Sequence, residues 1–205
     1  MNFIRHYEPV DFLSSASFYD FYNYARSNNF LINGANAANA SATNVRGNLN
    51  TDGQTTELDA SKFKVIELYN EMAIYPMNVP TRFHLDLAGN PADAADASLG
   101  NTVLHDAFAY GFGVKLGAIV QKGDWELGYA YKRIGANSTV GMFNDSDFGD
   151  GHAGKRGSVF KAGYALTDSI TLNSAAFFVN NLDTGTASIL DQEQRRFQVD
   201  MVWKF

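Results

Sequence analysis

From Phe108 to Val120 the chain alternates without a break. Phe108, Tyr110, Phe112, Val114, Leu116, Ala118 and Val120 take the even positions, and Ala109, Gly111, Gly113, Lys115 and Gly117 take odd ones. Successive side chains of a strand point to opposite faces, so this segment has one large apolar face and one small or polar face. After Gln121-Lys122-Gly123-Asp124 the alternation resumes, with Trp125, Leu127, Tyr129 and Tyr131 against Glu126, Gly128, Ala130 and Lys132. The spacing predicts two strands joined by a tight turn. Their shared apolar face must meet either a second protein layer or lipid.

The same two-faced pattern recurs along the chain. Phe83, Leu85 and Leu87 oppose Arg82, His84 and Asp86. From Phe63 to Tyr75, Ile66, Leu68, Met72 and Ile74 oppose Glu67, Tyr69 and Glu71, with Asn70 interrupting the apolar face. From Lys155 to Leu166, Phe160, Ala162, Tyr164 and Leu166 oppose Lys155, Gly157, Lys161 and Gly163. Ile170 to Asn180 follows, with Ile170, Leu172, Ala176 and Phe178 on one face. The chain ends with Phe197, Val199, Met201, Trp203 and Phe205 against Arg196, Gln198, Asp200 and Lys204. Asp11 to Tyr22 is aromatic and strand-like, but its two faces cannot be told apart. These are eight strands.

The connections between them carry a second signal. Tyr75–Pro80, Gln121–Asp124 and Leu166–Ser169 are short, whereas Tyr22–Lys62, Ala88–His105, Ile134–Gly154 and Asn181–Glu193 are long. Short and long alternate throughout. Membrane β-barrels have short periplasmic turns and longer external loops, and a soluble sandwich has no reason to keep this parity. The expected fold is therefore all-β: a transmembrane antiparallel β-barrel over residues 1–205, lodged in the bacterial outer membrane with its C-terminus periplasmic. Residues 23–61 would form a long external loop. Its Asn33–Thr56 part is rich in Asn, Ala, Gly and Thr and is expected to be mobile, because it offers too little apolar surface to fold alone.

Composition agrees with this and excludes other classes. There is no cysteine, hence no disulfide framework and no thiolate metal site. The net charge of −6 argues against a nucleic-acid partner. No run approaches the roughly 18 apolar residues that a spanning helix needs. The opening MNFIRHYEPV is not a signal peptide. It would begin either a mature form with an added Met or a piece of a longer protein.

On the barrel reading the inward face carries the function. Basic Arg82, Lys115, Lys132, Lys155, Lys161, Arg196 and Lys204 line it together with acidic Glu67, Glu71, Asp86, Glu126 and Asp200, and with His84. Mixed charges in a wet lumen set ion preference through the local field. The plainer reading is that they neutralise one another across strands. Trp125, Tyr75, Tyr164, Trp203 and Phe205 near the short-turn ends, and Phe108 and Tyr131 near the long-loop ends, are candidates for two aromatic girdles at the headgroup levels. Asp145, Asp147 and Asp150 sit in a glycine-containing loop. Their spacing is a poor match to a calcium loop. A solvated acidic loop, or one folded inward as a constriction, fits better. His84 beside Asp86 has half the parts of a catalytic pair, but no activated Ser or Cys accompanies it, so no enzyme activity and no cofactor are expected.

A terminal Phe closing an alternating strand resembles the C-terminal signature of bacterial outer-membrane barrels. That resemblance implies a closing strand read by the barrel-assembly machinery. Further segments resemble the bacterial putative porin family: Gln121-Lys122-Gly123-Asp124-Trp125-Glu126-Leu127-Gly128-Tyr129, Asn144-Asp145-Ser146-Asp147-Phe148-Gly149-Asp150-Gly151 and Gly163-Tyr164-Ala165-Leu166-Thr167-Asp168. The resemblance runs from about Phe63 to Phe205. It implies a Gram-negative outer-membrane porin for passive diffusion of small hydrophilic solutes, in contact with outer-membrane lipid and lipopolysaccharide. Family members are longer, which favours the C-terminal portion of a wider barrel over a small eight-stranded one. The runner-up is a non-conducting structural or adhesive barrel.

Overall fold

The computed structural model describes residues 2–7, 10–21, 63–76, 79–91, 107–135, 138–139, 144–151, 153–182 and 193–204. The 23–61 loop and Phe205 lie outside the described residues. Nine strands follow one another: β1 (Asn2–Tyr7), β2 (Val10–Phe21), β3 (Phe63–Ile74), β4 (Thr81–Gly89), β5 (Phe108–Gly117), β6 (Trp125–Ile134), β7 (Lys155–Ala165), β8 (Ile170–Asn181) and β9 (Gln194–Trp203). Each pairs antiparallel with the next in one sheet. All eight expected strands are present, and β1 precedes them. Among the described residues β1 and β9 are the two edges. The order is that of an up-and-down barrel wall.

The register fixes both faces. Arg82 lies opposite Lys115, His84 opposite Gly113 and Asp86 opposite Gly111, while Phe112 lies opposite Tyr131 and Leu116 opposite Leu127. Tyr129 pairs with Phe160 and Trp125 with Tyr164. The polar and small residues thus share one face and the large apolar residues the other. Leu68, Leu85, Phe112, Leu127, Phe160 and Phe197 are all exposed on that second face. An exposed apolar surface this extensive needs lipid or another protein against it. Neighbouring rings run across it, Phe112 on Tyr131, Tyr129 on Phe160, Phe160 on Phe178 and Phe178 on Phe197, with centroids 5.0–6.0 Å apart.

Pairing with β3 also settles the faces of β2. Ser17 lies opposite Glu67 and Ser15 opposite Tyr69, so Asp11, Leu13, Ser15, Ser17 and Tyr19 share the polar face. Asn70, the irregularity on the apolar face, lies opposite Ser14, whose hydroxyl donates to Asn70 Oδ1 at 2.9 Å. The two polar groups satisfy each other on a largely apolar face.

One boundary differs from the pattern. The alternation runs to Val120, but β5 ends at Gly117, which has φ +78°. A Cβ there would collide with the Trp125 carbonyl, and the Gly117 N–H turns away to the Pro80 carbonyl at 2.8 Å. The Asp124 carboxylate then accepts the N–H groups of Val120 and Gln121 at 2.9 and 2.8 Å, which closes the turn. Val120, 84 % exposed, therefore belongs to the turn.

Candidate functional site: an inward loop beside a cavity

The polar face is not uniformly polar. Val159 on β7 and Ala175, Phe177 and Val179 on β8 have its parity. Together with Ile134 they form an apolar seat, and Phe148 of the 144–151 loop is buried in it at 0 % exposure. The loop therefore lies folded over this face. Burying a phenylalanine side chain stabilises by about 1.5–3 kcal/mol. Lys132 Nζ stands 5.4 Å from the centre of the Phe148 ring.

Charge holds the rest of the loop. Lys132 pairs with Asp145 at 3.2 Å. Arg196 on β9 donates to Asp147 Oδ1 at 3.1 Å, to Asp150 Oδ1 at 2.5 Å and to the Ser146 carbonyl at 3.2 Å. Gln198 donates to Asp147 at 3.1 Å, and Gln194 donates to Asp150 at 2.8 Å. Gln194 Oε1 also accepts the Gly149 N–H at 2.9 Å. Gln194, Arg196 and Gln198 alternate along one face of β9, so that face grips the loop along its length. Asp150 takes a left-handed φ of 57° between Gly149 at 62° and Gly151 at 71°. A non-glycine residue there costs on the order of 1–2 kcal/mol.

The loop carboxylates are thus drawn to basic partners, Asp145 to Lys132 and both Asp147 and Asp150 to Arg196. Among the described residues no cluster of three His, Asp or Glu could hold a metal ion. In this structure Asp145, Asp147 and Asp150 take part in an ion-paired latch. Of the two better-fitting forms, the loop takes the inward one. Burial alone would raise the Asp145 carboxyl, but the Asp147 N–H at 3.0 Å and the Lys132 charge outweigh it and hold the group below the usual carboxylate range.

Beside the loop the polar face is open. A cavity of about 760 Å³ is lined by Tyr19, Glu67, Tyr69, His84, Asp86, Lys132, Asn144 and Asp145, among others. Tyr19 donates to Glu67 at 3.0 Å and Tyr69 to Glu71 at 2.8 Å. The His84 imidazole lies against Gly113. A Cβ there would collide with its Cε1 and stand 2.5 Å from the Tyr129 carbonyl oxygen. His84 and Asp86 are two residues apart on β4, and both line the cavity.

Other expected lining residues divide by surroundings. Lys115 pairs with Glu126 at 2.6 Å, the cross-strand neutralisation of the plainer reading. Lys155 donates to Asn181 near the seat. Arg82 and Lys161 are exposed on the polar face, and Glu71 lies opposite His84 on it. Asp200 is exposed on the edge strand, and Lys204 falls just beyond its end. Of the girdle candidates, Trp125 and Tyr164 are cross-strand partners on the apolar face at the short-turn end, and Trp203 lies opposite Ile170 there. Phe108 marks the long-loop end, whereas Tyr131 stacks on Phe112 further in. Tyr75 differs: it has the parity of the polar face, and its hydroxyl donates to Asp11 at 3.2 Å.

Phe148, Gln194, Gln198 and the apolar seat were not among the expected site residues. Val159, Phe177 and Val179, apolar on a face otherwise polar, were the available signal.

Residues 13–205 match the family model described as putative porin. No curated protein and no solved structure gives a significant match.

Proposed function

Because the chain belongs to the putative porin family, we propose that it forms the wall of an outer-membrane channel for passive diffusion of small hydrophilic solutes, narrowed by its own 144–151 loop. The observation that carries this is the Phe148 latch beside an open polar cavity. A loop pinned to one part of the wall leaves a passage along the other. That passage is flanked by Glu67, Asp86, His84 and Lys132, so a solute would meet acidic and basic groups at close quarters. The short turns would face the periplasm and the long loops the exterior, which puts the C-terminus on the periplasmic side. The last strand would be the element read by the assembly machinery.

Liposome swelling tests this reading. Vesicles carrying the protein should swell in isotonic arabinose or glucose and progressively less in larger oligosaccharides. Swelling no faster than in protein-free vesicles, from protein shown to be folded and inserted, would favour a non-conducting structural barrel.

A further inference from the structure

The cavity beside the loop holds two polar atoms without partners. Asp86 Oδ1 and Asn144 Nδ2 are buried, and neither has a hydrogen-bond partner among the described residues. Both residues line the cavity, Asp86 from β4 and Asn144 from the loop. The Asn144 carbonyl oxygen already accepts the Thr139 hydroxyl at 2.9 Å, so its amide donor is the group left over. Leaving a buried polar group unpaired is costly, and more so when the group is charged.

Charge around the cavity is uneven. Glu67 lies opposite Ala88, two residues from Asp86, so the two carboxylates are diagonal neighbours on one face. Neither forms an ion pair with a basic residue among the described residues. Glu67 accepts the Tyr19 hydroxyl at 3.0 Å. Lys132 stands two strands from Asp86 in the same cross-strand row, with Gly111 between them, and pairs with Asp145 at 3.2 Å. The Arg133 guanidinium turns to the Phe108 carbonyl at 3.1 Å. Negative charge therefore faces the cavity at Glu67 and Asp86. The remaining lining is aromatic and aliphatic. Tyr19 and Phe21 stack at 6.4 Å, and Val65, Ala88, Ala109 and Ile134 continue it toward the long-loop end. A carboxylate in such surroundings draws a cation more strongly than it would in bulk water, and an aromatic face adds to the attraction.

We infer that this cavity is a binding site for a solute carrying a protonated amine on a hydroxylated body, with the ammonium held between Asp86 and Glu67 and a hydroxyl oxygen accepting from Asn144. The site rests on the channel reading, which makes the polar face a wet lumen that solutes enter. An ammonium has three donors and no acceptor, so one group serves both carboxylates. Rotation about the last side-chain bond of an aspartate is soft, so either Asp86 oxygen can turn to it. A neutral polyol would leave the two negative charges uncompensated, and an anion would add a third.

The test uses glucamine, whose amine is protonated at neutral pH, and sorbitol, which has a hydroxyl in its place at nearly the same size. Each is titrated by calorimetry into the protein folded in detergent micelles, and vesicles carrying the same protein are assayed for swelling in arabinose. Glucamine should bind about tenfold more tightly than sorbitol, as expected for a hydrogen bond between charged groups. Asp86→Asn should remove that preference, and Asn144→Ala should weaken glucamine several-fold. Equal binding of the two probes by the parent, or an undiminished preference in Asp86→Asn, from protein whose vesicles swell, would overturn the amine site and leave the channel standing. No swelling from folded and inserted protein would overturn the channel reading, and with it the site's place in a lumen.

Discussion

Arg196, on the last strand, donates at 2.5 Å to Asp150, a residue 46 positions earlier in the chain. That contact ties the final hairpin to the loop that crosses the polar face. Asp150 itself is in the left-handed region, with φ 57°. The Arg196 side chain is 30 % exposed and that of Asp150 62 %, so the pair sits in solvent and orients the loop more than it anchors it. The buried Phe148 ring supplies the larger share of the attachment.

Removing the guanidinium should loosen the loop without freeing it. Arg196→Gln is expected to weaken the latch by about 1 kcal/mol, in keeping with a solvated ion pair. Amide hydrogen exchange at Gly149 and Gly151 should quicken several-fold, while the sheet amides of β7 and β8 stay protected. Raised salt should produce part of the same effect in the parent protein, because screening acts on exposed charges.

Asp145 gives the latch a pH dependence. Its carboxyl is held below the usual range, so the ionised form is favoured in the latched state. The stabilisation is fully present above the ordinary carboxylate pKa of about 4 and is lost as pH falls through the lower latched-state value. Protection of the Phe148 and Gly149 amides, relative to their intrinsic exchange at each pH, should be flat from neutral pH down to that range and then fall. Asp145→Asn should remove the part of this response due to Asp145.

Gly113 and Gly128 face the same side but should respond differently. An alanine at Gly113 meets His84 and the Tyr129 carbonyl, and the backbone oxygen cannot rotate away. Gly113→Ala is expected to cost about 1–3 kcal/mol, as overpacking does. His84→Ala should relieve only part of it. At Gly128 the nearest atom would be Lys161 Cβ at 3.6 Å, ordinary contact, so Gly128→Ala should be nearly neutral. Urea-dependent folding into detergent micelles, followed by tryptophan emission, separates the two.

The Ser14–Asn70 bond makes a prediction about the apolar face. Ser14→Ala leaves Asn70 Oδ1 without its donor and should destabilise by about 1–3 kcal/mol in lipid. Ser14→Ala combined with Asn70→Leu removes both polar groups and should be neutral or stabilising. Equal losses in the single and double variants, from the same folding titration, would show that the bond carries no weight.

The wall of this fold is largely legible in the sequence. Period-two alternation from Phe108 to Leu127 and the alternation of loop lengths gave the hairpins their faces and their order. β2 resisted because both parities carry large apolar residues, Phe12 and Phe18 on one and Leu13 and Tyr19 on the other. Only pairing with β3 separates them. β1 is six residues long, too short for a pattern to stand out. The latch was half visible. The pattern makes Arg196 an inward charge and lets the acidic loop fold inward, but a loop of Asp and Gly does not announce a buried Phe148. Its seat is made by Val159, Phe177 and Val179 from two strands, and that is a relation of register.

Single-channel recording in a planar bilayer tests the central claim most directly, by comparing the parent protein with Phe148→Ala. Loss of a seated aromatic ring costs about 3–5 kcal/mol, enough to release the loop while the sheet persists. The parent should insert with discrete conductance steps, and Phe148→Ala should show larger steps, noisier at the open level. Identical conductance in the two proteins would contradict a loop that narrows the passage. The absence of steps from both, with folded and inserted protein, would contradict the channel itself.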